Sequence, residues 1–195
     1  RLMIINIAAL VVLGIASEGL IQPVQGFLRV QQHPARLIND FTVVGGIGGT
    51  LLNVAVMGAI ALVLVFLTTV RLSGPTFAAI LTIMGFSFFG KTPVNTAPII
   101  LGVYLAGRLA GKPFKNFIII ALFGTALGPL VTYLVYEAGF AGMPALLAGT
   151  VGGIVAGLGL PALAVAMLRF HQGFNLYNIG LTCGFLGLFA ASFLI

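Results

Sequence analysis

Polar positions divide the chain into long apolar stretches, and these stretches predict helices that cross a membrane. The apolar stretches cover residues 2–21, 37–70, 114–136, 140–168 and 174–195, with two shorter arms at 74–90 and 99–110. A helix rises about 1.5 Å per residue, so about 20 residues cross a hydrocarbon layer of roughly 30 Å. We therefore expect an all-α integral membrane protein with about six to seven membrane segments, some of them short or re-entrant half-helices.

The stretch at 37–70 is too long for a single crossing, so we expect it to break. Four of the five residues at 45–49 are glycine, and glycine weakens a helix. This pattern predicts a short piece around Asp40 followed by a full span over residues 50–70. The polar segment at 22–36 is expected to be a loop on the outer side.

A polar, proline-containing loop at 91–98 separates the two short arms. Non-helical backbone is tolerated at membrane depth only where it lines a cavity, so one interpretation is a discontinuous or re-entrant element. The other interpretation is a pair of tilted spans joined by an aqueous loop. The sequence leaves both open.

Composition excludes a water-soluble domain. Hydrophobic residues make up 60% of the chain and charged residues only 6%, against roughly 25% charged in soluble domains. The mean hydropathy is +1.20. Too few residues remain for a separate aqueous domain, so residues 1–195 are interpreted as a single transmembrane module. Because the chain begins and stops within apolar runs, we expect a fragment or one half of a longer chain.

The basic residues are dispersed, which argues against a nucleic-acid partner and makes them markers of membrane orientation. The predicted spans place one group on one side: Arg1, Arg71, Arg108, Lys112, Lys115 and Arg169. Arg29 and Arg36 fall on the other side with Glu137. By the positive-inside rule the first group is cytoplasmic. We expect a multi-pass protein of the inner (plasma) membrane, with the lipid bilayer as its partner.

Glycines recur at spacing four, which allows helix backbones to approach closely. The spaced sets are Gly149 with Gly153 and Gly157, Gly124 with Gly128, Gly107 with Gly111, and Gly180 with Gly184. We interpret them as packing seams rather than pore lining. Such seams also suit subunit contacts, so the partner is left open between a homo-oligomer and a second half of the same chain.

Two stretches indicate an internal repeat. Residues 48–56 align without gaps on residues 173–181, with identical Gly, Leu and Asn at three of the nine positions. The predicted spans run through the membrane in opposite directions, so we expect an inverted-topology repeat. Inverted repeats are a transporter architecture in which the solute site lies near the bilayer midplane.

Neutral amide and hydroxyl side chains are the candidate lining of a path. We expect the substrate path to involve Asn53, Lys91, Thr92, Asn95, Thr96, Asn175 and Asn178. Amides both donate and accept hydrogen bonds, which suits a small polar solute. The alternative is hydrogen bonding between helices, worth about 0.6 kcal/mol each in membranes.

Two titratable residues are candidates for coupling. Asp40 lies near the predicted helix break and could take part in proton or sodium coupling, or it could cap a helix N-terminus. His171 could relay protons, or it could lie at the membrane boundary. Glu18 and Glu137 lie on separate predicted loops and are assigned no role.

Enzyme chemistry finds no support in the sequence. Cys183 is the only cysteine, no His/Cys cluster suggests a metal, and the Gly-Lys-Thr at 90–92 lacks the upstream glycine of a phosphate-binding loop. We therefore expect neither catalysis nor a cofactor.

Three stretches carry a resemblance to a known family: DFTVVGGIGG at 40–49, GFSFFGKTPVN at 85–95 with Pro98, and FHQGFNLYN at 170–178. They resemble a bacterial and archaeal family of integral membrane proteins known only as a domain of unknown function, with a repeated module of about this length. The resemblance covers residues 37–190 and implies no activity. A second resemblance is to urea transporters, which also use inverted repeats and short pore helices. It is confined to Gly173 and Asn175, and Leu176 departs from that family's Gly-x-Asn-Gly element.

Two functions follow as hypotheses. The first is a membrane transporter or channel for a small polar solute, with a path lined by neutral amides and a broken-helix loop. The second is a non-transporting membrane scaffold or assembly subunit. They differ in whether the polar side chains converge.

Overall fold

The computed structural model describes residues 1–34, 39–175 and 177–194, and over these residues it is all helical. The helices are α1 Leu2–Glu18, α2 Ile21–Gln32, α3 Phe41–Leu67, α4 Gly74–Phe86, α5 Pro93–Leu109, α6 Ile118–Gly124, α7 Gly128–Tyr136, α8 Met143–His171 and α9 Asn178–Leu194. The expectations for Arg36 and Leu176 lie outside the described residues. The all-α class is thus confirmed.

Fewer helices are long enough to cross a membrane than the sequence predicts. Within the described ranges three apolar candidates reach the required length, namely Phe41–Leu67, Ile118–Tyr136 and Met143–His171. A fourth is the pair α1 and α2, if this pair, bent by 111°, is one broken span. The prediction of six to seven segments was based on the number of apolar stretches. Some of these stretches form helices too short to count as candidate spans, because α4 has only 13 residues and α9 only 17. The apolar helices are compatible with a membrane protein.

The chain forms two units, Arg1–Val94 and Asn95–Ile195, which are described in turn. In the N-terminal unit, α1 and α2 both pack against α3. The predicted loop at 22–36 is wrong over most of its length, because residues 21–32 form α2. A close approach of backbones explains the packing, since a Cβ built on Gly49 would lie 2.6 Å from Gly26 Cα.

The predicted break in the 37–70 stretch is confirmed. Gly46 has φ 73° and ψ 172° inside α3, a left-handed conformation that glycine adopts without the steric cost of a Cβ. The helix continues on both sides of this residue and ends at Leu67. The break therefore divides α3 into a short first part and a long second part, as the glycine pattern predicts.

The polar loop before α5 is shorter than predicted. Helix α5 begins at Pro93, where the missing N–H costs nothing because the first turn has no partner for it. Asn95 and Thr96 therefore lie on the first turns of α5 rather than in a loop. The non-helical connection covers residues 87–92, so of the predicted loop at 91–98 only Lys91 and Thr92 are non-helical.

In the C-terminal unit a buried cluster forms around α8. Its buried members are Ile99, Val103, Ala121, Leu127, Val131, Ala156, Leu160 and Cys183. The predicted clean span at 114–136 is interrupted by a 3₁₀ turn, Thr125–Leu127, between α6 and α7. Pro161 lies inside α8 without ending it.

The glycines at spacing four on α8 form a packing seam, as predicted. A Cβ on Gly157 would overlap the carbonyl oxygen of Ile99, and one on Gly153 would lie 2.7 Å from Pro98 Cβ. Other spaced pairs differ, because an added Cβ on Gly111 or Gly184 would meet no atom within 4 Å among the residues that the structure describes. Glycine spacing therefore predicts close packing on α8 but not at every pair.

The two aligned stretches share only part of their local structure. Residues 48–56 lie entirely within α3, whereas the described residues 173–175 and Tyr177 precede α9, which begins at Asn178. Among the aligned positions described in both copies, those from Asn53 and Asn178 onward are helical in both. The inverted relationship between them stays a prediction.

Candidate functional site

A buried polar turn connects α4 to α5 in the N-terminal unit. Ser87, Lys91 and Thr92 are only 0%, 5% and 3% exposed. Helix α4 ends here because the Ser87 hydroxyl donates to the Ile83 carbonyl at 2.7 Å, and the Lys91 N–H turns back to the Phe86 carbonyl at 3.1 Å. Polar backbone is thereby buried among apolar helices, which requires that its hydrogen bonds be satisfied.

Asn53 from α3 satisfies this turn. Its side-chain nitrogen Nδ2 donates to the carbonyl oxygens of Ser87 at 2.8 Å and of Lys91 at 2.9 Å. Its oxygen Oδ1 accepts from Nε2 of Gln31 on α2 at 3.1 Å. Because both amide hydrogens serve backbone oxygens, Asn53 ties α2, α3 and the turn together. Whether it also lines a path stays a prediction.

Gln31 contributes an acceptor beside Asn53. Its Oε1 is buried, and it has no hydrogen-bond partner among the residues that the structure describes. Its Nε2 is shared between Asn53 Oδ1 and the Phe27 carbonyl. Buried polar atoms without partners are rare in folded proteins, so this oxygen is suited to a donor from a water or a solute. Sequence reasoning missed Gln31 because the 22–36 segment was taken as an outer loop.

Lys91 places a cation in this apolar environment. Its Nζ lies 5.1 Å from the centroid of the Phe86 ring, within the range of a cation–π interaction. Helix α4 ends at Phe86, so the turn that buries Lys91 also brings its ammonium over this ring.

Glu18 is a further polar residue that sequence reasoning assigned no role. Its Oε1 accepts a hydrogen bond from the Ile47 N–H at 2.9 Å, directly after the break at Gly46. The sequence shows a single acidic residue near the end of an apolar stretch and a glycine-rich segment at 45–49. Nothing in the sequence indicates that these two features are in contact.

Asp40 caps the N-terminus of α3. Its carboxylate accepts from the Thr42 hydroxyl at 2.6 Å and from the Thr42 N–H at 2.9 Å. These two bonds, the hydroxyl first, hold the pKa of Asp40 below its ordinary value of 3.8. The side chain is exposed. The capping interpretation is confirmed, and a role in coupling stays a prediction.

In the C-terminal unit, Asn95 and Thr96 are 4% and 2% exposed. Asn95 Nδ2 donates to the Thr132 hydroxyl at 3.1 Å, and that hydroxyl donates to the Gly128 carbonyl at 3.3 Å. A Cβ on Gly128 would lie 3.0 Å from Asn95 Oδ1. Asn95 thus joins the first turns of α5 to α7 by a buried polar contact.

His171, Asn175 and Asn178 come together at the connection between α8 and α9. The His171 ring accepts at Nδ1 from the N–H groups of Gly173 and Asn175, both at 3.2 Å. Nδ1 is therefore unprotonated, so the proton is on Nε2, which donates to Asn178 Oδ1 at 2.8 Å. The Asn178 Nδ2 donates to the Ala164 carbonyl at 3.0 Å.

Within each unit, the predicted path residues contact other polar groups. In the N-terminal unit, Asn53 contacts the backbone of Lys91, next to Thr92. In the C-terminal unit, Asn95 contacts Thr132 in α7, and Asn175 and Asn178 contact His171. Thr96 is buried on α5. Within the described ranges, no three His, Cys, Asp or Glu side chains cluster as metal ligands would.

Over the described residues, these features define an all-helical protein with long apolar helices, which are compatible with a membrane protein, and with polar contacts buried at helix interruptions. Residues 21–195 match the family described as a protein of unknown function, DUF1576, and the chain belongs to that family. No curated protein and no solved structure gives a match to the chain.

Proposed function

We propose that this protein is a multi-pass transporter or channel for a small polar solute in the plasma membrane. The observation that carries the proposal is the buried turn at 87–92, where Lys91 and Thr92 lie among apolar helices. A cation and a hydroxyl are costly in such surroundings and mark solute or ion pathways in membrane proteins.

Helix lengths support a location of this turn within the bilayer. Helix α4 has 13 residues, which span about 20 Å at about 1.5 Å per residue, against roughly 30 Å of hydrocarbon. Exposed Arg71 lies just before α4 and suits the water boundary. A helix that starts at this boundary would end at Phe86 inside the hydrocarbon layer. This supports the re-entrant interpretation over an aqueous loop.

The polar groups at the turn favour a solute with both a carbonyl oxygen and an N–H group. The Lys91 ammonium would attract the oxygen, and the buried Gln31 Oε1 would accept from the N–H. Small neutral amides have this chemistry. In this proposal Asn53 holds the turn in shape, because its donors already serve the Ser87 and Lys91 carbonyls.

The proposal includes the inverted repeat. The aligned asparagines Asn53 and Asn178 both donate from Nδ2 to a backbone carbonyl, and both accept at Oδ1 from another side chain. The equivalent hydrogen bonding of these two aligned asparagines supports an origin of the repeat by duplication. Under this proposal each copy uses its asparagine to hold a helix interruption.

Flux into liposomes tests the function. Purified protein is reconstituted, and uptake of urea, acetamide and chloride is compared with that of protein-free liposomes. We expect amide uptake in the wild type, with a strong reduction in Lys91→Met and Thr92→Val. Asn116→Leu is the matched control, because Asn116 is exposed in a 3₁₀ turn outside these groups.

Two results would contradict the proposal. Wild-type uptake no faster than in protein-free liposomes would favour the scaffold or assembly subunit. Chloride uptake without amide uptake would keep a pathway but exclude a neutral solute.

A further inference from the structure

We propose that Glu18 is a proton-exchange site. Its carboxylate stabilises the break in α3 through the hydrogen bond to Ile47, and protonation of Glu18 weakens this bond and destabilises the backbone conformation at Gly46. The proposal rests on the proposed function in one respect: in a transporter, this exchange would couple solute movement to protons.

The geometry brings two helix interruptions together. Glu18 is the last residue of α1, and the chain then bends by 111° into α2. Its carboxylate contacts α3 directly after Gly46, which has φ 73°. A Cβ built on Gly46 would lie 2.7 Å and 2.9 Å from the two Glu18 oxygens. Only glycine permits both this backbone conformation and this approach.

The hydrogen bond explains why the carboxylate is held here. The Ile47 N–H is the first N–H of the long second part of α3, and the first N–H groups of a helix generally lack partners within the helix. Glu18 Oε1 accepts this N–H at 2.9 Å. An ionised acceptor makes a stronger hydrogen bond than a neutral one. The negative charge is therefore part of what stabilises the break.

The charged and titratable groups on the elements that neighbour Glu18 are few. Helix α1 carries Arg1 at its opposite end, α2 carries Arg29, and His33 follows α2 and contacts Asn39. Asp40 caps the start of α3. Among the residues described, the structure shows no ion pair to Glu18.

The proton step is simple to balance. A hydronium ion transfers a proton to one carboxylate oxygen, so that an O–H bond forms, a water molecule is left, and the carboxylate loses its charge. The neutral acid accepts the Ile47 N–H more weakly, so the break at Gly46 opens more easily. Release of the proton restores the stronger hydrogen bond between the Glu18 carboxylate and the Ile47 N–H.

Amide hydrogen exchange on the reconstituted full chain tests this coupling. In the wild type we expect protection of residues 47–49, corrected for intrinsic exchange, to fall by about fivefold on acidification, the difference between charged and neutral acceptors. In Glu18→Gln, which keeps an acceptor but cannot titrate, protection should not depend on pH. Glu18→Asp keeps a titrating group and should retain the dependence.

The other two acids give matched controls, because the chain has only three acidic side chains. Glu137→Gln, and Asp40→Asn, in which the amide oxygen can still cap α3, should keep the pH dependence of protection at residues 47–49. Infrared difference spectra of the three variants assign the carboxyl band of Glu18. A pH dependence that survives in Glu18→Gln, or none in the wild type, would overturn the proposal.

Flux measurements separate this proposal from the proposed function. Amide uptake that a proton gradient drives in the wild type but not in Glu18→Gln supports both. Uptake that ignores the proton gradient keeps the transporter and overturns coupling at Glu18. Absence of uptake overturns the proposed transport function. Amide hydrogen exchange then tests by itself whether protonation of Glu18 destabilises the break at Gly46.

Discussion

The side-chain nitrogen of Asn53 lies 2.9 Å from the carbonyl oxygen of Lys91 and donates a hydrogen bond to it. The same nitrogen donates to the Ser87 carbonyl. One buried amide thus satisfies two backbone oxygens at the end of α4 that the short helix cannot satisfy itself. The relationship joins the middle of α3 to a turn 38 positions further along the chain.

Asn53→Leu should destabilise the protein, because it removes the hydrogen bonds that Asn53 donates to the buried carbonyl oxygens of Ser87 and Lys91. The loss of a donor to a buried oxygen costs about 1–3 kcal/mol. The free energy of unfolding in detergent measures the loss. Gln31→Leu is the comparison, because it removes the donor of one buried oxygen, Asn53 Oδ1, and should cost about 1–3 kcal/mol, roughly half the loss in Asn53→Leu. Equal losses in the two variants would contradict this role of Asn53.

Gly157→Ala should destabilise the C-terminal unit, because the new methyl group would overlap the Ile99 carbonyl across the seam. Overpacking of this kind costs about 1–3 kcal/mol. Gly159→Ala on the same helix is the control. Its nearest neighbour, Leu163 Cδ1, would be 3.9 Å away, so the gain in helix propensity of about 0.8–1.0 kcal/mol should prevail. Thermal unfolding of the two variants should shift in opposite directions.

The neutral His171 ring should carry its proton on Nε2. The two N–H groups that point at Nδ1 exclude a proton there. The ¹⁵N chemical shifts of labelled histidine report the tautomer, and His33→Gln leaves a single histidine to assign. A signal of the Nδ1–H tautomer would contradict the geometry.

His171→Phe should loosen the connection between α8 and α9. It removes the acceptor of the Gly173 and Asn175 N–H groups, each bond being worth about 0.5–1.5 kcal/mol. Amide exchange at these two residues should become faster. His171→Asn, which can offer an acceptor near the same place, should retain more protection than His171→Phe.

The cap at Asp40 should make stability depend on acidity at low pH. The pKa of Asp40 is lowered in the folded state by the Thr42 hydroxyl and N–H, so the ionised cap stabilises the fold above the ordinary value of 3.8. This contribution is lost as the pH falls through the lower folded value. Asp40→Ala should therefore be less stable than the wild type at neutral pH, and the difference should shrink below pH 3.8.

Thr42→Val provides the control for this dependence, since it removes the hydroxyl that lowers the pKa most. The difference between the wild type and Asp40→Ala, followed by thermal unfolding across the acidic range, should diminish in the Thr42→Val background. A difference that does not change with pH would show that the carboxylate charge plays no part in the cap.

Local patterns predicted the helix interruptions but not what stabilises them. The glycines at 45–49 located the break at Gly46, and the polar segment at 91–98 located the buried turn to within a few residues. Pro93 was taken as part of a loop, although proline suits the first turn of a helix. The polar segment at 22–36 was taken as a loop because polar side chains indicate exposure, whereas α2 uses Gln31 to reach Asn53.

The sequence by itself determined an all-helical protein with apolar helices compatible with a membrane, because apolar runs, scarce charge and glycine spacing are properties of the chain's local composition. Only the tertiary structure decided which polar group meets which interruption. Glu18 reaches the break at Gly46 and Asn53 reaches the turn before α5 through contacts distant in sequence. The physical reason is that a buried backbone N–H or C=O requires a hydrogen-bond partner. The local sequence around that group does not specify which distant side chain will be the partner.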